Sequence, residues 1–395
     1  MIKNNKIVKA VTGIVPLFVV AHFIHHVMSA LFTPLLPYIR NDFNLNYTQA
    51  GWLLMAYNLA YGIGQLPGGW LADRIGNRTV LFIGVAGVAL AGLFIGLAPN
   101  YVILGILLVI LGLAGGGYHP SASPLVAAST TEENRGKALG IHQIGGSASF
   151  FLAPLIAAGV AEFLGWRGTF VAISIPAIAL GIAFYIVLGR MGITGVKKKA
   201  ESEDTIADTS SGHSRRLTAL VILGVGQMVL IYSIISFIPL YAVDIFGLGE
   251  GAAAAMLSLA YIGGLWAGPL AGWASDKFGR VPVILSVGAV SGPVIWLLTQ
   301  VGFGVGFSAI LVIIGTAMYS GMPVAEAYII SHTSDKNRST VLGIYYLGSR
   351  GGPAIAPLIG FIIEGYGFNA SFTIVAISMI ILTVVCGMLL WGKRN

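Results

Sequence analysis

The sequence predicts an all-α membrane protein in which twelve transmembrane helices form two pseudo-symmetric bundles of six. Three observations carry that expectation: an apolar composition, twelve apolar stretches of spanning length, and a repeat that maps one half of the chain onto the other. Of the 395 residues, 56% are hydrophobic and 9% charged, against about 25% charged in an ordinary soluble domain. A single core could not hide so much apolar surface, so lipid must serve as part of the solvent.

Stretches of roughly 20 apolar residues are long enough to cross the hydrocarbon core of a bilayer. They fall near 11–36, 48–71, 79–98, 101–127, 137–161 and 168–189, then near 217–243, 252–274, 281–301, 304–331, 339–363 and 370–391. The first follows Lys3, Lys6 and Lys9, like the basic start of a signal peptide. It runs on to Ile39 with no A-x-A site behind it, too long for a cleaved leader, and reads as a retained span. An even number of spans puts both termini on one side.

The basic residues assign that side. All but Arg40, Arg167 and Arg350 of the 22 lysines and arginines fall on the face shared by the termini. The positive-inside rule makes that face cytoplasmic, in a cytoplasmic (inner) cell membrane. The net charge of +7 is therefore a topology signal, and no nucleic-acid partner is expected. The single cysteine, Cys386, excludes an internal disulfide and argues against a cysteine metal site. No feature demands a second copy of the chain, so a monomer is expected.

Between spans six and seven lies "GVKKKAESEDTIADTSSGHSRR", polar and rich in both charges, which reads as a cytoplasmic linker. His213, inside it, is expected to be solvated. The chain then divides into a bundle over 1–189, a linker over 190–216 and a bundle over 217–395. The bundles repeat one another. "GWLADRIGNR" from Gly69 falls on "GWASDKFGRV" from Gly272, and "RGKALGIHQIGGSASFFLAPLI" from Arg135 falls on "RSTVLGIYYLGSRGGPAIAPLI" from Arg338. Two six-span halves in parallel repeat are a pattern of secondary transporters, whose solute site lies between the halves near the midplane.

The paired loops resemble the signature loop of the major facilitator superfamily, and the resemblance covers essentially the whole chain; Asn77 stands where a basic residue is more usual. It implies an alternating-access carrier whose first, fourth, seventh and tenth spans line the cavity. Asp73, Arg74 and Asp276 of these loops, with Arg135 and Arg338 at the starts of spans five and eleven, would latch the cytoplasmic side. Gly76 and Gly279 are placed for the tight turns such loops need. "YHPSASPLVA" from Tyr118 and "HQIGGSASFFLAPLIAA" from His142 resemble the fosmidomycin-resistance branch, which implies export. Where that branch commonly has Asn-Asp, this chain has His25-His26.

Polar groups at membrane depth are costly and point to function. Arg350 falls near the middle of span eleven, where an unpaired guanidinium costs at least ~2.5–3.5 kcal/mol. It suits bidentate anchoring of a carboxylate, phosphonate or phosphate, or an ion pair with Glu326 of span ten. Glu326, as a carboxyl in a partly dry cavity, suits proton loading and release. Tyr319 shares the face of Glu326 and Tyr346 that of Arg350, and both are read as substrate contacts. The repeat is an internal control: Arg350 falls on Ser147 and Glu326 on Ser123, so the fold does not require either charge.

"AHFIHHVMSA", from Ala21, places His22, His25 and His26 on one helical face of span one, expected to look into the cavity with His119 of span four. Gln227 falls on His22 in the repeat and is counted with the contacts. His142 and Gln143 begin span five; Gln143 is read as a contact, and His142 suits a surface position as well as a site. The histidines could form a substrate wall and proton relay, with His26 joining Glu326 in proton coupling, a transition-metal site, or ordinary interhelical hydrogen bonds. The expectation is a proton-coupled carrier of a small, anionic organic solute, with no cofactor beyond the coupling protons and no enzymatic activity. The alternatives are a transition-metal or metallophore carrier using His22, His25, His26 and His119, and a membrane receptor or sensor on the same scaffold. Asp244, Glu162 and Glu364 are expected to be wet outer-end groups, and Arg40 a surface residue.

Overall fold

The computed structural model describes residues 13–131, 134–193, 211–333, 335–350 and 352–390; the side chains of His213, Arg338 and Arg350 lie outside this description. Helix occupies each of the twelve stretches that the sequence marks. Among the described residues, nine helical segments are long and apolar enough to cross a membrane. Two of these hold more than one pass: Arg135–Arg190 reverses at Gly165 (φ 64°) and Ala356–Leu390 at Gly367 (φ 80°). A positive φ costs glycine nothing.

The loops of the repeat behave as their sequence implies. Gly76 (φ 87°) and Gly279 (φ 90°) end the helices Tyr47–Ile75 and Ala267–Phe278, and each permits an immediate turn into the next helix. A second similarity lies deeper. A Cβ on Gly112 would stand 2.5 Å from the Tyr57 carbonyl oxygen, and one on Gly315 would collide with the Ala260 carbonyl oxygen. These are equivalent positions, so spans two and four approach each other as spans eight and ten do. Small residues permit such close helix contact in a bilayer.

Two ends can be distinguished. The proximal end carries Val15 and Leu390, and the distal end carries the reversals at Gly165 and Gly367. Toward the distal end one apolar core spans both halves, joining Leu35, Leu54 and Phe170 to Ile238, Phe307 and Phe372. Toward the proximal end the core divides. Phe18, Val85 and Leu188 belong to a cluster of the first half alone, and Leu220, Ile284 and Leu390 to one of the second. The halves share one apolar core distally and have separate apolar clusters proximally.

Helix irregularities occur in both halves: Ile262–Leu265 and Gly352–Ile355 are 3-10 turns in the second, and two more lie near the centre of the first. Ile83–Gly87 is a π-helical turn within span three, between Asn77–Phe82 and Val88–Gly96. In span four, Tyr101–Gly116 gives way at Gly117 to Tyr118–Ala128. The glycines before His119 serve close approach there, because a Cβ on Gly116 would lie 2.5 Å from the Gly64 carbonyl carbon. Such breaks free backbone groups for side-chain partners.

Candidate functional site

The three histidines of span one are buried, but mostly not toward the space between the halves. Val15–Ala30 carries them into the interior of the first bundle. His22 Nδ1 lies 2.9 Å from the His142 carbonyl oxygen, and His25 Nδ1 lies 2.6 Å from that of Gly84. A carbonyl can only accept, so both rings carry their proton on Nδ1 and present Nε2 as a lone pair when neutral. The Gly84 carbonyl belongs to the π-helical turn. His25 Nε2 then accepts from the Tyr61 hydroxyl at 3.3 Å.

His26 behaves differently. Its Nε2 lies 3.2 Å from Nε2 of His119, and its ring packs 4.6 Å from Phe150. It alone of the predicted histidines lines the central cavity between the halves, with Tyr57, Tyr61 and Phe150 of the first half and Tyr232 and Tyr261 of the second. That space measures about 60 Å³, far below the roughly 300–1,000 Å³ of sites that enclose an organic ligand.

Glycines make room for the rings. A Cβ on Gly146 would stand 2.6 Å from His22 Cε1, and one on Gly115 would stand 3.5 Å from His25 Cε1. Tyr118 stacks on His25 at 4.3 Å and on His22 at 5.3 Å. His142 is 3% exposed and stacks on His22 at 4.2 Å. It therefore belongs to the buried cluster, which decides between the two positions its sequence location allowed. Sequence reasoning places neither Tyr118, the first residue of "YHPSASPLVA", nor Tyr61 beside the histidines, since a tyrosine within a span is ordinary.

The other expected contacts are dispersed. Gln143 is exposed. Gln227 is buried within the second half, where its side-chain amide donates to the Ile284 carbonyl at 3.0 Å. Tyr319 packs its ring beside Gly264, Tyr346 lies 5.9 Å from Tyr345, and Glu326 is half-buried in Val305–Ser331. Asp73, Arg74, Asp276 and Arg135 are exposed at the proximal end, and Arg74 lies over the Trp70 ring at 4.0 Å.

At the distal end the sequence reading needs correction. Arg40 is not a free surface residue: both of its terminal nitrogens donate to Asp244 of the other half. The two side chains are 14% and 24% exposed, so neither is simply wet. Tyr47 donates to the same carboxylate at 2.6 Å, Asn41 donates to Glu250, and Thr48 donates to Glu364 at 2.8 Å. These pairings escape sequence reasoning because they join residues some 200 positions or more apart. They tie the halves together where the common core also joins them.

This architecture matches known proteins. The family model of the Major Facilitator Superfamily matches residues 18–260 and 220–395. The chain belongs to that superfamily. It is 24% identical to the cis,cis-muconate transport protein of Acinetobacter baylyi, over 90% of this chain and 88% of the relative. Identity to the glycerol-3-phosphate transporter of Bacillus subtilis is 26%, over 91% and 88%. A bacterial homologue of the human lysosomal transporter Spinster, solved inward-facing and occupied, superposes with a TM-score of 0.79 at 15% identity, over 97% of this chain and 96% of that one. The protein is thus a multi-pass membrane transporter of the superfamily and not an enzyme.

Proposed function

We propose that this chain is a proton-coupled secondary transporter of a small organic anion, with the proximal end facing the cytoplasm of a bacterial cytoplasmic membrane. The observation that carries alternating access is the divided core: one apolar core distally, two proximally. A carrier closed at one end and parted at the other has that form, and the opposite state would exchange the two ends. The distal bonds of Arg40, Asn41, Tyr47 and Thr48 favour the state described here. Asp73, Arg74, Asp276, Arg135 and Arg338 are the candidates for the opposing latch.

The anionic substrate class rests on Arg350, the cation that the sequence puts at mid-span, and on relatives whose names specify muconate and glycerol-3-phosphate. Glu326 is the proton-exchanging carboxyl in this reading, and outward transport is adopted from the fosmidomycin-resistance likeness. The test is solute flux in proteoliposomes under an imposed proton gradient, using small dicarboxylates and organophosphates. Arg350→Ala is expected to lower anion flux more than ten-fold, while Arg190→Ala, exposed at the proximal end, stays within two-fold of wild type. Full flux in Arg350→Ala overturns the anion assignment; flux indifferent to the gradient overturns proton coupling.

A further inference from the structure

We propose that His22, His26 and His119 form a binding site for one divalent transition-metal ion of the zinc, cobalt or nickel type, inside the first bundle and at the edge of the central cavity. One ring nitrogen from each of the three residues lies within 4.8 Å of the other two. One pair, His26 Nε2 and His119 Nε2, is 3.2 Å apart. Metal–imidazole bonds of 2.0–2.1 Å in a tetrahedral site put neighbouring ligand nitrogens about 3.3–3.4 Å apart. The observed pair already stands near the edge length of such a tetrahedron, and a shift of no more than about 1.5 Å brings the third ring in to complete the face.

Three further features suit this chemistry. Metal-bound histidines normally donate their second ring nitrogen to a carbonyl or carboxylate, which fixes the tautomer. His22 does so, through Nδ1 to the His142 carbonyl, leaving Nε2 as the ligand atom. Gly146 holds that ring against bare backbone, since a Cβ there would reach 2.6 Å from Cε1 and 2.8 Å from Nε2. The ligand set is also selective. Three imidazoles without thiolate favour zinc, cobalt, nickel or copper over magnesium or calcium, which take oxygen ligands.

The cavity supplies what three neutral ligands leave open. A dication on three imidazoles keeps its full charge, which is costly in a low-dielectric interior unless an anion joins it. His26 lines the cavity, so the fourth position opens toward its space of about 60 Å³, enough for an ion with water or for a carboxylate group. The metal site itself does not depend on the anion-carrier reading. A carboxylate in the fourth position would connect the two.

The test is calorimetric titration of the tag-free protein in detergent with Zn²⁺, Co²⁺ and Ni²⁺, together with the visible spectrum of the Co²⁺ complex and X-ray absorption of the Zn²⁺ complex. One equivalent of metal, a tetrahedral Co²⁺ spectrum and three imidazole scatterers are expected. His119→Ala and His26→Gln should each weaken affinity at least ten-fold, while His332→Ala, whose ring stacks on Tyr328 at 3.8 Å in the second half, should leave it unchanged. Absence of binding up to 100-fold molar excess overturns the proposal, as do fewer than three imidazoles in the X-ray absorption or unchanged affinity in both cluster variants. The wild-type spectra decide the matter even if a variant fails to fold. Metal binding without anion flux leaves the site standing and removes the carrier reading; anion flux without metal binding does the reverse.

Discussion

In the first half, Gly112 lies against the Tyr57 carbonyl; in the second, Gly315 lies against the Ala260 carbonyl at the same place in the repeat. Around these shared contacts the two interiors differ. His25 and His26 are opposite Leu230 and Ile231, His119 is opposite Met322, and Tyr118 is opposite Gly321. The π-helical turn Ile83–Gly87 has no counterpart in Arg280–Leu297, a continuous α-helix. Close backbone approach recurs because both bundles must pack their helices. The imidazole cluster occurs once, so the bundle architecture does not require it and a ligand or coupling role can account for it.

The largest effect that would break this comparison is expected at the duplicated glycines. Gly315→Ala drives a methyl group into the Ala260 carbonyl, and Gly112→Ala places one 2.5 Å from that of Tyr57. Overpacking of this kind costs about 1–3 kcal/mol and occasionally more, and here the obstacle is backbone that cannot rotate away. Both variants should lose much of their folded monomer in fluorescence-detected gel filtration, Gly315→Ala the more severely. Normal yield and melting temperature for both would show that the repeat does not depend on these contacts.

A smaller and more local loss is expected from Gly146→Ala. The new methyl group meets the His22 ring, whereas the repeat partner, Ser349, already carries a side chain. A cost of about 1–2 kcal/mol should lower the melting temperature by a few degrees. Transition-metal affinity should fall about ten-fold while the bundle still folds. Unchanged metal affinity with an unchanged melting temperature would mean that the glycine does not position the ring.

The smallest effect on stability concerns what joins the halves. Asp244→Asn keeps the shape of the distal pairing and removes its charge. A charge-assisted bidentate bond is worth about 1–3 kcal/mol, reduced by its partial exposure. The expected readout is a several-fold rise in labelling of a cysteine at Ser258, whose hydroxyl now donates to the Phe151 carbonyl across the halves at 2.7 Å, with Cys386 replaced by serine. Equal labelling of the Asp244→Asn variant and its parent would relegate the pairing to surface decoration. Arg40→Ala should behave like Asp244→Asn, because it removes the other member of the same pair.

Much of the architecture is legible in the residue order. Twelve apolar stretches specify where helices cross lipid, because every backbone polar group there must be satisfied within its own segment. Gly76 and Gly279 announce their turns because only glycine enters that region of φ without strain. His22, His25 and His26 attract notice for the cost of polar groups at depth, and the structure groups them with His119. The direction they face is another matter. The expected cavity wall is chiefly an interior cluster, with His26 alone at the cavity, because the rotation of span one depends on Gly145 and Gly146 receiving it.

The sequence by itself determined the membrane class, the helix positions, the duplication and the superfamily, since each follows from local composition and spacing or from paired motifs. Only the tertiary structure decided that His142 and Tyr118 join the imidazoles, that Gln227 does not, and that Arg40 and Asp244 close the distal end. The contacts with the span-one histidines and the distal pair link residues from 93 to 204 positions apart, and they exist only once helix rotation and crossing have set which side chains meet.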